Sequence, residues 1–246
     1  KFTLDHINKY DGDLTDIFVV EAGSDKNKLC SKTTWYADWE EAKKEGLRYC
    51  RGMNYGLSML FKEEKFFNYD SFFLLTNDTE LENKKTIKPL LEIFEEHKRL
   101  GILSPCSKRW GEKTLLKDPF NTKYFWFIHN SSYLLRRDFI ESIINYEKPD
   151  YMHFLFDGNN FRGYCSESEL IAKAYANDWA AGITSKVWAS ENESYLLNQS
   201  DLIKTETYSQ NLKLYVEEGL KWMKRKYGFS SHWDMQQYSK ANYDIY

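Results

Sequence analysis

The sequence predicts an α/β fold: a mostly parallel central sheet flanked by helices, with a helical appendage at the C-terminal end. Three observations predict it. Short apolar runs without alternation, at residues 17–20, 72–75 and 124–128, match strands covered on both faces by helices. Segments with helical spacing of apolar residues lie between them, which is the α/β arrangement. The runs at 17–20 and 72–75 also exit into acidic turns, and open α/β sheets hold their ligands at such carboxyl ends.

A chain of 246 residues can bury a substantial core without staples. We expect a catalytic domain over residues 1–190 and a helical extension packed on it over residues 191–246. The net charge of -3 argues against nucleic acid as a main partner, because no basic excess is present to neutralise phosphates. Aromatic residues make up 17% of the chain, and many Tyr and Trp fall in polar stretches, where a ring either stacks on a sugar or base or fills the rim of the core. Cys30, Cys50, Cys106 and Cys165 are widely spaced with no CxxC pair, so neither a zinc site nor a disulfide framework is expected, and a reducing cytoplasm fits. No apolar run of about eighteen residues is present to span a membrane, and no signal-peptide pattern opens the chain.

In chain order, Phe2, Leu4, Ile7 and Tyr10 predict a helix over residues 2–10, closed by Asp11-Gly12-Asp13. Residues 17–20 predict a buried strand that exits through Glu21-Ala22-Gly23-Ser24-Asp25. Residues 35–49 look helical and charged, and Gly52 and Gly56 interrupt the pattern before it resumes at Leu57. The strand at 72–75 runs into Thr76-Asn77-Asp78. A carboxylate beside short oxygen-bearing neighbours suits Mg2+ or Mn2+ carrying phosphate oxygens. Asp78 or Thr79 capping a following helix is the structural alternative. Residues 88–100 predict an amphipathic helix closed by Gly101, followed by a short strand and a long polar loop over 106–124.

Further strands are expected at 124–128 and 182–188, and a helix after Arg136-Arg137. Ser166 and Glu169 read as a capping box opening a helix that ends near Asn177. Glu167 gains little from capping. A carboxylate at a helix N-terminus stays ionised, as a general base must. Residues 212–227 predict an amphipathic helix broken by Gly228. Its basic and aromatic residues either pack across the domain or rest on a membrane surface.

The order of these motifs resembles the inverting family-two glycosyltransferases, nucleotide-diphosphate-sugar enzymes with the GT-A fold. The resemblance covers roughly residues 14–190. Glu21-Ala22-Gly23-Ser24-Asp25 is similar to the family's D-x-G-S-x-D loop, Asn54-Tyr55-Gly56 to its N-x-G element and Thr76-Asn77-Asp78 to its D-x-D metal motif. Leu135-Arg136-Arg137, Phe156-Asp157-Gly158-Asn159-Asn160-Phe161 and Glu167-Ser168-Glu169-Leu170 are similar to its L-R-R, F-D-x-x-F and E-D-x-D-L elements.

The resemblance implies a GT-A-like, Rossmann-related sheet and inverting transfer of a sugar to a glycan or lipid-linked acceptor, with Mg2+ or Mn2+ as cofactor. It implies bacterial surface polysaccharide synthesis in the cytoplasm or at the inner face of the membrane, with peripheral contact through the C-terminal helix. Carried over, it assigns Glu21, Gly23, Ser24, Asp25, Asn54, Asn77 and Asp78 to the nucleotide. Asp78 and His232 go to the metal, Asp157 and Arg136 to the acceptor, and Glu167 or Glu169 to proton abstraction. The chain departs from the family in Thr76, which replaces the first Asp of the metal motif, and in Glu at 21 and 167. The family's first strand has no counterpart ahead of residues 2–10. A non-catalytic nucleotide- or carbohydrate-binding module and a nucleotidyltransferase are the competing expectations.

Overall fold

The computed structural model describes residues 2–23, 26–108, 111–114, 116, 121–128, 132–144, 149–192 and 207–244. Helix α1 (Phe2–Asp11) forms where the apolar spacing predicts it. Its last residue acts at a distance. The buried Asp11 carboxylate accepts from the backbone N–H groups of Thr86 at 2.9 Å, Ile87 at 3.1 Å and Lys88 at 3.4 Å, so it caps the first turn of a helix far along the chain. Orphan N–H groups and the positive end of that helix dipole both favour a carboxylate there.

Strands β1 (Val20–Ala22) and β2 (Trp35–Ala37) pair in parallel as a separate two-stranded sheet. The residues expected to begin a helix at 35 thus open as a strand, and helices α2 (Glu40–Glu45) and α3 (Arg48–Lys62) follow. Gly56 of α3 lies against Val20, where an added Cβ would come within 3.1 Å of its Cγ2. The glycine is there to let the helix approach the strand.

The main sheet is built from β3 (Ser71–Leu75), β4 (Thr79–Leu81), β5 (Leu100–Cys106), β6 (Thr122–Tyr124), β7 (Ser132–Arg136) and β8 (Ala180–Glu191). The strand order is β3-β7-β5-β8-β4, with β6 also on β8. Helices α4 (Ile87–Glu96), α5 (Arg137–Ile143) and α6 (Ser166–Ala176) connect and cover these strands. Phe72 and Leu74 of β3 enter the main core, while Phe73 and Leu75 pack on a smaller cluster of Ile7, Leu81, Ile87 and Ala189.

This sheet corrects the predicted fold class. Only the β5–β8 pairing is parallel; β3–β7, β5–β7, β4–β8 and β6–β8 are antiparallel. The mostly parallel, GT-A-like Rossmann-related sheet is therefore not what this chain forms. The reason lies in the signal used: an unbroken apolar run reports burial on both faces and carries no information about strand direction. Among the described residues β1 pairs with β2 alone, so the two acidic exits do not lie on neighbouring strands as expected.

Two local expectations also change. Gly101 lies inside β5 instead of closing α4, and a Cβ there would sit 2.7 Å from Cγ of Phe139. Asp78 precedes a strand, so neither it nor Thr79 caps a helix.

Helix α7 (Tyr208–Leu214) passes through a π-helical segment (Tyr215–Leu220) into α8 (Lys221–Tyr227). Gly228 ends it at φ 77°, the left-handed stop the sequence predicts. Helix α9 (His232–Tyr243) then starts at a capping box between Ser231 and Asp234. Met235 of α9 packs with Cys165, Trp222 and Met223, which joins the C-terminal helices to the start of α6. No helix among the described residues is long and apolar enough to cross a membrane.

Replacing Asp11 by Ala should lower stability by about 2 kcal/mol, the upper end for losing a cap and here involving a buried charge-assisted one. Urea unfolding measures this, with Asp11→Asn keeping part of the loss back; unchanged midpoints would show that the cap contributes nothing.

Candidate functional site

The chain reaches α6 through residues 149–165, which form no extended strand yet bury Phe154, Leu155 and Phe156. Buried backbone without a strand partner needs other partners, and Asn54 supplies them. Its amide donates to Tyr151 O at 3.2 Å and Phe156 O at 2.8 Å, and accepts from Leu155 N and Phe156 N, both at 2.9 Å. All four hydrogen bonds that a primary amide makes are used. Asn54, expected at the nucleotide, is thus committed to holding this segment. Arg51 adds a bond from Nε to Gly158 O at 2.8 Å.

The predicted capping box at α6 does not form. Cys165 occupies the N-cap at φ 64° with no side-chain cap bond, and Ser166 is the first helical residue. A non-glycine residue in the left-handed region is strained, and Arg48 at φ 53° is a second such residue, next to Tyr49 at the start of α3.

Glu169 points the other way from a cap. Its carboxylate, 2% exposed, accepts from Lys226 Nζ at 2.8 Å and from the Tyr227 hydroxyl, and lies 3.6 Å from Lys173 Nζ. Lys226 also donates to Asp157 Oδ2 at 2.8 Å, which Trp222 Nε1 reaches at 3.0 Å. The other oxygen of Asp157 accepts from the backbone and side chain of Asn159. Burial opposes the charge on Asp157, yet these hydrogen bonds outweigh it and hold the carboxyl well below the usual range. One ammonium therefore bridges two carboxylates and fastens α8 to α6. Asp157, expected at the acceptor, and Glu169, one of the two expected bases, are both occupied in this clamp.

Glu167 stands outside this clamp. It sits in the first turn of α6, retains 19% exposure and approaches His232 Nε2 at 3.4 Å. Burial pushes its carboxyl up from 4.5 to about 7, so the group is crowded by protein. Tyr49, Cys50, Cys165 and Tyr215 surround it closely enough for its charge to raise their own ionisation. The buried Tyr49 hydroxyl has no hydrogen-bond partner among the described residues. His232 Nε2 is also hydrogen-bonded to Ser168 Oγ. The resemblance-derived choice between Glu167 and Glu169 is thus weighted by their surroundings towards Glu167. A carboxyl titrating near neutrality suits proton transfer at working pH.

The expected donor-side residues divide in the same manner. Asp78 stands in the turn between β3 and β4, and that turn is braced by the bond between the Thr76 and Thr79 hydroxyls at 2.9 Å and by Asn192 N to Asp78 O at 2.8 Å. Its Oδ1 is buried without a hydrogen-bond partner, which marks an acceptor awaiting a donor or a cation. Asn77 is exposed beside it. Glu21 closes its own loop through Oε1, accepting from Cys30 N at 2.7 Å and Thr33 Oγ1 at 2.9 Å. Gly23 adopts φ 72° against Ala42 and Gly46, a turn that needs glycine. Ser24 and Asp25 lie outside the described residues.

Arg136 belongs to the scaffold. It donates to Leu100 O at 3.1 Å and Phe94 O at 2.7 Å and lies over the Phe94 ring, so it closes the end of α4 instead of facing an acceptor. His232, expected at the metal, lies against Ser168, Glu167 and the Phe127 ring. Among the described residues no three His, Cys, Asp or Glu side chains form a group that could hold a metal ion. At Asp78 the described residues offer one carboxylate with a buried, unpartnered oxygen.

Sequence reasoning missed Tyr49, Ser168 and Tyr215 as neighbours of Glu167, and Lys226 as the bridge. No local signal marks Tyr49, Tyr215 and Lys226, because each is brought in from another element, and Ser168 stands inside the quoted motif without a sign of its contact to His232. The break at Gly228 is legible in the sequence, whereas the Ser231 cap and the helix that His232 opens are seen only in the structure.

Lys226→Ala should cost about 3 kcal/mol, because it strands two carboxylates that are hard to hydrate; thermal or urea unfolding measures it, and a loss under about 0.5 kcal/mol would show the clamp to be dispensable. For Glu167 the pH dependence has a definite sign. Between 4.5 and about 7 the unfolded chain has released the proton while the folded chain keeps it, so wild-type stability falls as pH rises through that window. Glu167→Gln should therefore match the wild type near pH 4 and exceed it at pH 8 by up to about 3 kcal/mol. Parallel unfolding curves at the two pH values test this.

No protein-family model matches this chain, and no curated protein matches it.

Proposed function

We propose that this protein transfers a sugar from a nucleotide-diphosphate donor to a hydroxyl of a glycan or lipid-linked acceptor, with inversion, and that Glu167 is the base. The observation that carries the proposal is the Glu167 carboxyl itself: in the first turn of a helix, 3.4 Å from His232 Nε2, and pushed up to about 7 by burial. In the proposed step the acceptor oxygen attacks the anomeric carbon opposite the diphosphate. Its C–O bond forms as the bond to the diphosphate oxygen breaks, and Glu167 takes the hydroxyl proton. A base half-ionised near neutral pH gives up little driving force while remaining available.

On the donor side, Asp78 Oδ1 would hold Mg2+ or Mn2+ together with diphosphate oxygens, and the ion would stabilise charge on the leaving group. Glu21 keeps one oxygen, Oε2, outside its loop bonds and would accept from the base or ribose. Surface polysaccharide synthesis is the setting in which such an acceptor hydroxyl is met. Exposed Leu212, Val216 and Trp233, with Lys221, Lys224 and Arg225 nearby in sequence, are what the C-terminal helices would offer a membrane.

A non-catalytic binding module is the second reading, favoured by the commitment of Asn54, Asp157 and Glu169 to the scaffold. One experiment separates the two. Calorimetric titration with UDP, GDP and dTDP in Mn2+ should show binding that Asp78→Ala abolishes, and binding unchanged in that variant would remove Asp78 from the site. Glu167→Gln should keep the donor affinity and lower release of nucleoside diphosphate from nucleotide sugars by about 10³-fold. A folded wild type that binds nucleotide but turns over none of the nucleotide sugars would favour the binding module.

A further inference from the structure

We propose that His232 is the positioning residue for Glu167, so that the C-terminal helices complete the site instead of merely covering it. The proposal rests on the reading of Glu167 as the base.

The geometry begins with how His232 is delivered. Gly228 turns the chain out of α8, and the Ser231–Asp234 capping box sets the first residue of α9, which is His232. The Phe127 ring meets the imidazole edge to face, with centroids 5.9 Å apart, and Met235 anchors the same helix in the cluster that holds Cys165. The ring is therefore held from several sides. Its Nε2 then contacts Ser168 Oγ and lies 3.4 Å from Glu167 Oε1.

A single ring nitrogen carries either a proton or a lone pair. If Nε2 carries the proton, it can donate toward an ionised Glu167, and Ser168 accepts or turns away. If it carries the lone pair, it accepts from the Ser168 hydroxyl, and Glu167 must be protonated to face it favourably. The proton position on Nε2 thereby decides which form of the Glu167 carboxyl the contact favours. The contact also restrains the terminal torsion of the glutamate, which is otherwise broad.

The other titratable groups around Glu167 do not compete for this role. They are Tyr49 and Cys50 from α3, Cys165 ahead of α6, and Tyr215 from the π-helical segment, whose phenol is also linked to the His232 backbone. Burial raises all four, Cys50 and Tyr215 to about 12, so they stay neutral while Glu167 titrates. Glu169 and Asp157, the nearby acids, are matched by Lys226. That leaves His232 as the charged or chargeable contact within reach of the Glu167 carboxylate among the described residues.

The test follows the Glu167 carboxyl carbon by 13C NMR across pH 4–9, assigned by its absence in Glu167→Gln, with folding of each variant checked by circular dichroism. His232→Asn withdraws the group from the Nε2 position and should raise the Glu167 midpoint by about 1 unit. His232→Gln places an amide nitrogen near the former Nε2 and should restore roughly half of that shift, leaving a displacement of about 0.5 unit. A midpoint within ~0.2 unit of wild type in folded His232→Asn, or in His232→Leu should the Asn variant not fold, overturns the proposal. In turnover, the acid limb of the kcat profile should move with the midpoint while donor KM stays unchanged. If Glu167→Gln leaves turnover intact, the functional reading fails, and the midpoint shift remains a separate result about the pair.

Discussion

The constraint on which the rest of this structure depends is the backbone of β5. Every residue of Leu100–Cys106 is buried, so none of its peptide groups can turn to water, and each must find a partner in the protein. The partners are β7 on one side and β8 on the other. Supplying them fixes the sheet order. β8 runs on past β5 to pair with β4, which braces the turn carrying Asp78, and β7 brings β3 and α5 against the same core. Gly101 belongs to this constraint, since any side chain at that point would collide with Phe139.

The second level of organisation is at the start of α6, where two carboxylates two residues apart are given opposite tasks by their neighbours. Glu169 faces an ammonium that it shares with Asp157, and its charge is used to dock α8. Glu167 faces thiols, phenols and an imidazole, and there burial raises its carboxyl instead of compensating it. A buried carboxylate without a formal counter-charge is destabilising. Cys165 and Arg48 share positive φ with Glu64 and Asp178 elsewhere in the fold.

Much of the local structure was legible in the chain. α1, β3, the helix after Arg136, the left-handed stop at Gly228 and the run of helices at the C-terminal end follow from apolar period and punctuation. These signals are local, and the structure honours them. Strand direction was not legible, because β7 is antiparallel to both its neighbours while its sequence, Ser-Tyr-Leu-Leu-Arg, would suit either sense. The site was legible in type but not in arrangement. Acidic residues at Asp78, Glu21, Asp157, Glu167 and Glu169 stood out equally, and only their partners separate the scaffold members from the available ones.

The sequence by itself determined the broad helical and apolar patterning and which carboxylates were present, although residue 35 opens a strand and Gly101 lies inside β5. Each of these depends on residues within one or two turns of each other. The tertiary structure alone decided that Asp11 caps α4, that Asn54 spends its whole amide on residues 151–156, and that Lys226 claims Glu169 while His232 meets Glu167. Those contacts join residues from 57 to 102 positions apart. No period or spacing encodes them, because they arise only when buried polar groups, cut off from water, must be matched with whichever partner the packing brings near.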